Sequence, residues 1–370
     1  MAEYRGNQLR NLNYNVKNLP QAGASWTHIC GHGNATKHFL VDEGVLYFCD
    51  GDRNSDTNSS CFRAIDVHTQ KEIWRQNVPP VYPEIPFSLC SSSIVQGCYN
   101  GKIVCISRHT GNIQWQRNFE GFEVRYSVIV LDSLVVCIMH KVGKPPQLVC
   151  LHIDSGETFW IYKSRPPKYF GNGYSHLLHE SGIIVYSAGT ALYGVSLLRG
   201  EEVFFHDDSN HIRTFPVMDG KHVIYGEGKQ IVYFSLNSLT VVRFYEFSEY
   251  LRQKGAVDEV FILAGDLVFW GSYPGLFHVY DQKLEKSLLL KNISMPFSVN
   301  GNEIFFGSGG LYKMSLADFK FESYSSPEAP SKFKHIIPTV YDYTPPLLSD
   351  EGIFLKENGG IYGYGLKRVK

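Results

Sequence analysis

A thirteen-residue segment that recurs and ends in tryptophan constrains this chain more than any other feature. Phe62-Arg-Ala-Ile-Asp-Val-His-Thr-Gln-Lys-Glu-Ile-Trp74 aligns without a gap to Ile103-Val-Cys-Ile-Ser-Arg-His-Thr-Gly-Asn-Ile-Gln-Trp115. Leu148-Val-Cys-Leu-His-Ile-Asp-Ser-Gly-Glu-Thr-Phe-Trp160 is the third copy. A fourth, Leu192 to Phe204, keeps Gly200 at its turn and carries Phe204 in place of tryptophan. Weaker copies follow over 231–244, 277–289 and 311–324, with Phe244, Leu288 and Ser323 in the tryptophan's place. Each copy reads as a β-hairpin: an apolar strand, a short polar turn, and a second strand that delivers the aromatic residue. A glycine at that turn supplies the positive φ that other residues resist.

The spacing turns hairpins into an architecture. Trp74, Trp115, Trp160 and Phe204 follow one another at 41, 45 and 44 residues, and another strand pair precedes each hairpin. Four short strands per period of about 40–45 residues is the pattern of a propeller blade. Seven complete units run from about His38 to Ser326. Three further strands follow, over 346–348, 352–356 and 360–366, without an outermost fourth. The segment Gly23-Ala-Ser-Trp26-Thr-His28 resembles that missing strand. The expected fold is therefore all-β: an eight-bladed β-propeller of four-stranded antiparallel blades, with the N-terminal strand over 22–28 completing the last blade. Such closure removes the exposed edges of a linear array. A seven-bladed ring is the alternative. Residues 1–21 read as an N-terminal extension and 22–370 as one propeller domain.

Composition narrows the partners. Lys+Arg 35 against Asp+Glu 36 leaves a net charge of −1, so nucleic acid, which needs a basic excess, is not expected. The longest apolar stretch, around 127–139, contains Asp132 and is too short to span a bilayer. No secretory signal is read in the first twenty residues. All eight cysteines, from Cys30 to Cys150, fall in the first 150 residues, mostly in apolar stretches. They read as buried free thiols in a cytoplasmic protein, with secretion the alternative had a signal peptide been removed.

Ala64-Ile-Asp66-Val-His-Thr69-Gln70-Lys71-Glu-Ile-Trp74 resembles the tryptophan-docking repeat of pyrroloquinoline-quinone (PQQ) propellers, A-x-D-x-x-T-G-K-x-x-W. Gln70 stands where glycine is usual. Thr110-Gly111 with Trp115, and Ser155-Gly156 with Trp160, repeat its core. The resemblance implies an eight-bladed ring in which Trp26, Trp74, Trp115 and Trp160 each stack on a turn of the neighbouring blade. It also implies two branches. Quinoprotein dehydrogenases hold PQQ over the channel with a calcium bound by Glu, Asn and Asp, a catalytic Asp, and often a vicinal disulfide. No two cysteines are adjacent here. The non-enzymatic branch, which includes the bacterial outer-membrane assembly lipoprotein, uses the ring as a binding platform, and this chain is read as resembling that branch.

Few constellations carry chemistry. Asp50, Asp52, Asn54 and Asp56 alternate oxygen ligands in a loop, as a calcium site would. The loop departs from the EF-hand pattern at Ser55 and Cys61, and a solvated tip is the plainer reading. His28, Cys30 and His32 alternate along one strand and read as structural side chains. Hydrolase elbows, phosphate-cradling glycine loops and H-E-x-x-H are absent.

The links between blades are long and rich in Pro and aromatic residues, over 79–87, 165–174 and 326–346. They suit recognition of a protein. Tyr82, Tyr169, Phe170 and Tyr343 on them, and Arg125, His176 and Arg213 near inner-strand starts, are the candidate partner-binding residues. The expected function is a non-catalytic scaffold, monomeric by itself, that binds a protein partner and needs no cofactor, with calcium as the sole candidate. A small-molecule or carbohydrate-binding propeller, even a quinone-dependent one, is the first alternative. An inhibitor or immunity protein that blocks a toxin or enzyme is the second.

Overall fold

Strand pairing follows the repeat. In the first blade Ala35–Asp42, Val45–Asp50, Ser60–Asp66 and Glu72–Val78 pair in order, all antiparallel. A computed structural model of the chain describes residues 13–14, 16–20, 26–31, 35–50, 59–82, 85–124, 126, 128–169, 175–207, 212, 216–227, 230–246, 260–264, 266–272, 276–283, 286–291, 297–307, 311–317, 321–323, 346–357 and 360–366. Among them regular structure is β-strand alone, and the fold is a β-propeller of four-stranded antiparallel blades. Hydrogen bonding groups these strands into eight sheets. In the third, Glu123–Val124 and Ile129–Leu131 share the innermost place beside Leu134–His140.

The last sheet is composite. Trp26–Gly31 pairs antiparallel with Gly360–Tyr364, which continues to Gly352–Glu357 and Leu347–Ser349. The strand runs three residues past the sequence-based limit at His28. A register shift between His28 and Cys30 lets pairing continue as far as Gly31 and Gly360. Two residues of the extension also join the propeller: Asn13–Tyr14 pairs in parallel with the inner strand Phe297–Asn300. The Asn300 side chain then holds the backbone of Val16, accepting from its N–H at 2.7 Å and donating to its carbonyl at 3.0 Å.

The cores lie between sheets. Phe62 of the first sheet meets Phe87, on the link to the second, edge-on at 4.8 Å. Val136 and Ile138 pack with Tyr186 and Tyr193, Leu192 with Tyr225 and Phe234, and Ile231 with Val268 and Tyr280. Phe269 packs with Phe297 and Ile304, and Phe305 with Ile353 and Tyr364. Phe354 and Ile361 of the composite sheet then pack with Phe39 and Phe48 of the first. His68 of the first sheet and Glu351 of the composite sheet approach to 3.4 Å across the same seam. Each sheet is too thin to bury its own faces and does so only against its neighbours.

Candidate functional site

A four-stranded meander has two ends. Turns between strands one and two and between three and four lie at one; loops between two and three and links to the next blade lie at the other. Sequence reasoning put docking chemistry at the first and partner binding at the second.

The docking end is built by repetition. Trp74 donates its indole N–H to the Arg108 carbonyl at 2.9 Å, Trp115 to Ile153 at 2.5 Å, and Trp160 to Leu197 at 2.8 Å. Each acceptor is the first residue after the third strand of the next blade. Each ring also covers that blade's turn glycine. A Cβ on Gly111 would lie 2.7 Å from Trp74, and one on Gly156 or Gly200 would lie 2.6 Å from Trp115 or Trp160. These glycines have φ of 75°, 66° and 66°, so the position excludes a side chain on both backbone and packing grounds. Trp26 lies in the closing strand, but its side chain falls outside the described residues.

Two further docking groups escaped the sequence. Phe244 was aligned with the tryptophans, but the register places Arg243 there, opposite Tyr233 and just before the bulge, as Trp74 stands opposite Ala64. Arg243 lies over the rings of Tyr233 and Tyr280, donates to the Tyr280 hydroxyl at 2.8 Å, and reaches the Gln282 carbonyl at 3.5 Å. Gln282 is again the first residue after a third strand. Arg108 is the second group. It is buried in the second blade and reaches back to Asp42 at 2.8 Å, Glu43 at 3.0 Å and the Tyr47 hydroxyl at 3.0 Å in the first. The thirteen-residue length of the repeat, counted from Ile231, ends on Arg243 and would have signalled the former; nothing in the repeat marks the latter.

The link end carries the candidate partner residues. Tyr169 is 58% exposed, on a link pinned to the fourth blade. Asp207 accepts from the Lys168 backbone N–H at 2.7 Å and from the Thr190 hydroxyl at 2.6 Å, and the Tyr193 hydroxyl donates to the Arg165 carbonyl at 2.9 Å. Tyr82 is half-buried and meets exposed Tyr99 edge-on at 4.5 Å, while Val81, Ile85 and Phe87 on the same link are buried. That link spends most of its apolar surface on the first seam. His176 is 7% exposed and follows Ser175, whose hydroxyl accepts from the Ser187 N–H. It sits within the inner edge of the fourth blade and is not presented to solvent. Phe170, Tyr343, Arg125 and Arg213 lie outside the described residues.

The calcium candidates and the cysteines are placed only in part. Of the calcium candidates, Asp50 ends a strand, and Asp52, Asn54 and Asp56 lie outside the described residues. Among the described residues no three His, Cys, Asp or Glu side chains cluster as metal ligands. Cys49, Cys61, Cys90, Cys98, Cys105, Cys137 and Cys150 are free thiols, and all but Cys61 are buried. Burial pushes Cys98, Cys105 and Cys150 up to about 12 and Cys137 higher still, which favours the neutral thiol over the nucleophilic thiolate. Among the described residues no helix is long and apolar enough to cross a membrane.

Comparison with protein-family models and with curated proteins gives no match. Solved structures do match. BamB from Moraxella catarrhalis superposes with a TM-score of 0.67 at 12% identity, over 92% of this chain and 100% of that one. A europium-containing methanol dehydrogenase gives 0.67 at 10% identity, over 86% and 84%. Quinohemoprotein alcohol dehydrogenase from Comamonas testosteroni gives 0.64 at 10% identity, over 86% and 72%. The chain thus has the fold of the PQQ-repeat-like β-propellers. At such identities the likeness extends to the fold alone, and that fold serves both enzymes and non-enzymes.

Proposed function

We propose that this propeller of eight sheets is a non-catalytic scaffold that binds a protein partner at its link end. The observation that carries this reading is the exposed Tyr169 on a backbone fixed by Asp207, Thr190 and Tyr193. An aromatic side chain held ready on a braced loop binds with less loss of freedom than one on a loose loop. The likeness to BamB agrees with a platform role. The free buried thiols suit a reducing compartment, so we place the protein in the cytoplasm.

Affinity capture from the native source tests this reading. Wild type is compared with a variant carrying Tyr169→Ala, Phe170→Ala and Tyr343→Ala. The expected result is loss of at least one stoichiometric partner at unchanged melting temperature. An identical set of partners would remove the link end from the proposal.

A further inference from the structure

The link end of the third blade holds a cleft of about 360 Å³ walled by Phe122, Lys141, Lys144, Pro145, Pro146 and Lys163. Three elements meet there. Phe122 comes from the link that enters the blade, Lys141–Pro146 forms the loop between its second and third strands, and Lys163 ends its outermost strand. Antiparallel pairing of Gln147 with Lys163 brings the last two together. Three cations line the opening and no carboxylate does, in a chain whose net charge is −1.

Two nearby carboxylates are engaged elsewhere, and a third, exposed Glu120 on the same link as Phe122, does not line the cleft. Glu123 faces His140 at 3.7 Å, and Glu202 takes Arg165 at 2.9 Å and the Tyr162 hydroxyl at 2.6 Å. Among the described residues Lys141, Lys144 and Lys163 enter no ion pair. The Lys141 ammonium lies 5.5 Å from the centre of the Phe122 ring, so one cation already sits against the aromatic wall. Ser164 turns its hydroxyl to Tyr186 and closes the floor.

We infer that this cleft binds a phosphate group carried on an aromatic ring. Three ammonium groups exceed what a single carboxylate needs. A phosphate monoester brings about −1.5 to −2 charge at pH 7 and three acceptor oxygens, which three rotatable lysine donors can share. Phe122 and the two prolines offer a flat apolar wall for the ring that bears it. The inference goes beyond the protein-scaffold reading and does not rest on it, since the ligand could be free or part of a partner's side chain.

Calorimetric titration of the full chain with phenyl phosphate, inorganic phosphate and a phosphotyrosyl peptide is the test. Phenyl phosphate should bind more tightly than inorganic phosphate, and Phe122→Leu should abolish that difference. Each of Lys141→Gln, Lys144→Gln and Lys163→Gln should weaken phenyl phosphate about five- to tenfold, on the order of a charge-assisted hydrogen bond. Lys71→Gln, at the docking end, should change nothing. Tighter binding of the peptide than of phenyl phosphate would assign the group to a protein; equal binding would assign it to a free ligand. No binding by wild type at millimolar phenyl phosphate, or equal weakening by Lys71→Gln, would overturn the site.

Discussion

The first four blades and the later ones solve the same problem with different residues. Between blades one and two, two and three, and three and four, a tryptophan covers a glycine turn and donates to the carbonyl just beyond the third strand. Between blades four and five the turn position belongs to Leu239, at φ 56°. That residue carries the Cβ that a covering ring cannot tolerate, and Phe204 packs on Phe234 at 4.7 Å instead. Between blades five and six Arg243 takes over, reaching the equivalent carbonyl of Gln282. The acceptor's position is constant while its donor varies.

That constancy has a backbone origin. In each of the first seven sheets the residue after the third strand donates its N–H to the turn between strands one and two. The pairs are Val67 to Gly44, Arg108 to Ser92, Ile153 to Ser133, Leu197 to Gly182, Leu236 to Lys221, Gln282 to Asp266 and Leu316 to Asn302. Where a docking donor is present, this fixed residue offers its carbonyl to the preceding blade. The geometry belongs to the blade, so any donor of suitable reach can use it.

The comparison can be broken at graded points. Trp115→Ala should have the largest effect, about 3–5 kcal/mol lost in urea unfolding, as for a large buried aromatic. It should also speed alkylation of Cys105 and Cys137, which pack with Trp115 in one core. A loss below about 1 kcal/mol would deny the tryptophan its docking role. Gly156→Ala should cost about 2–3 kcal/mol, combining a positive φ with a methyl against the Trp115 ring. Arg243→Met, which keeps the aliphatic stem, should cost about 1–2 kcal/mol. If Arg243→Lys proves indistinguishable from wild type, planar contact with Tyr233 and Tyr280 is not what matters.

The smallest effect concerns Asp66. Its carboxylate accepts the backbone N–H of Thr69 at 2.7 Å and of His68 at 2.9 Å, and these bonds hold it below the usual carboxylate range. A lowered folded-state value adds stability above the unfolded value near 3.9, and that stability is lost as pH falls through the folded value. Asp66→Ala should therefore cost about 0.5 kcal/mol at pH 7, and the difference should shrink below pH 4. Equal melting curves for the two proteins at pH 7 would show the turn to be indifferent to this cap.

Much of the architecture was legible because the repeat is local. A hairpin's strands, turn and aromatic residue lie within thirteen residues, so Trp74, Trp115 and Trp160 could be placed by alignment. Their stacking partners could be too, since Gly111, Gly156 and Gly200 occupy the same offset. Arg243 was missed because the copy over 231–244 runs one residue beyond thirteen to end on an aromatic; thirteen residues from Ile231 end on Arg243, where the register shift matches that of the first blade. Arg108 was invisible because its partners Asp42, Glu43 and Tyr47 stand more than 60 residues away. Among the candidate partner residues, sequence could not separate exposed Tyr169 from buried His176, because both follow Pro- or Gly-containing links.

The sequence by itself determined the period, the hairpins and the docking pairs of the early blades, since short-range turn chemistry and alternation specify them. Tertiary structure decided which group fills each later seam, which link residues remain exposed, and that Phe122, Lys141, Lys144 and Lys163 share one cleft. The reason is physical. A hairpin's pairing is set by residues close along the chain, whereas a seam is set by side chains of two neighbouring blades, and the cleft by three segments of one blade that only its folded sheet brings together.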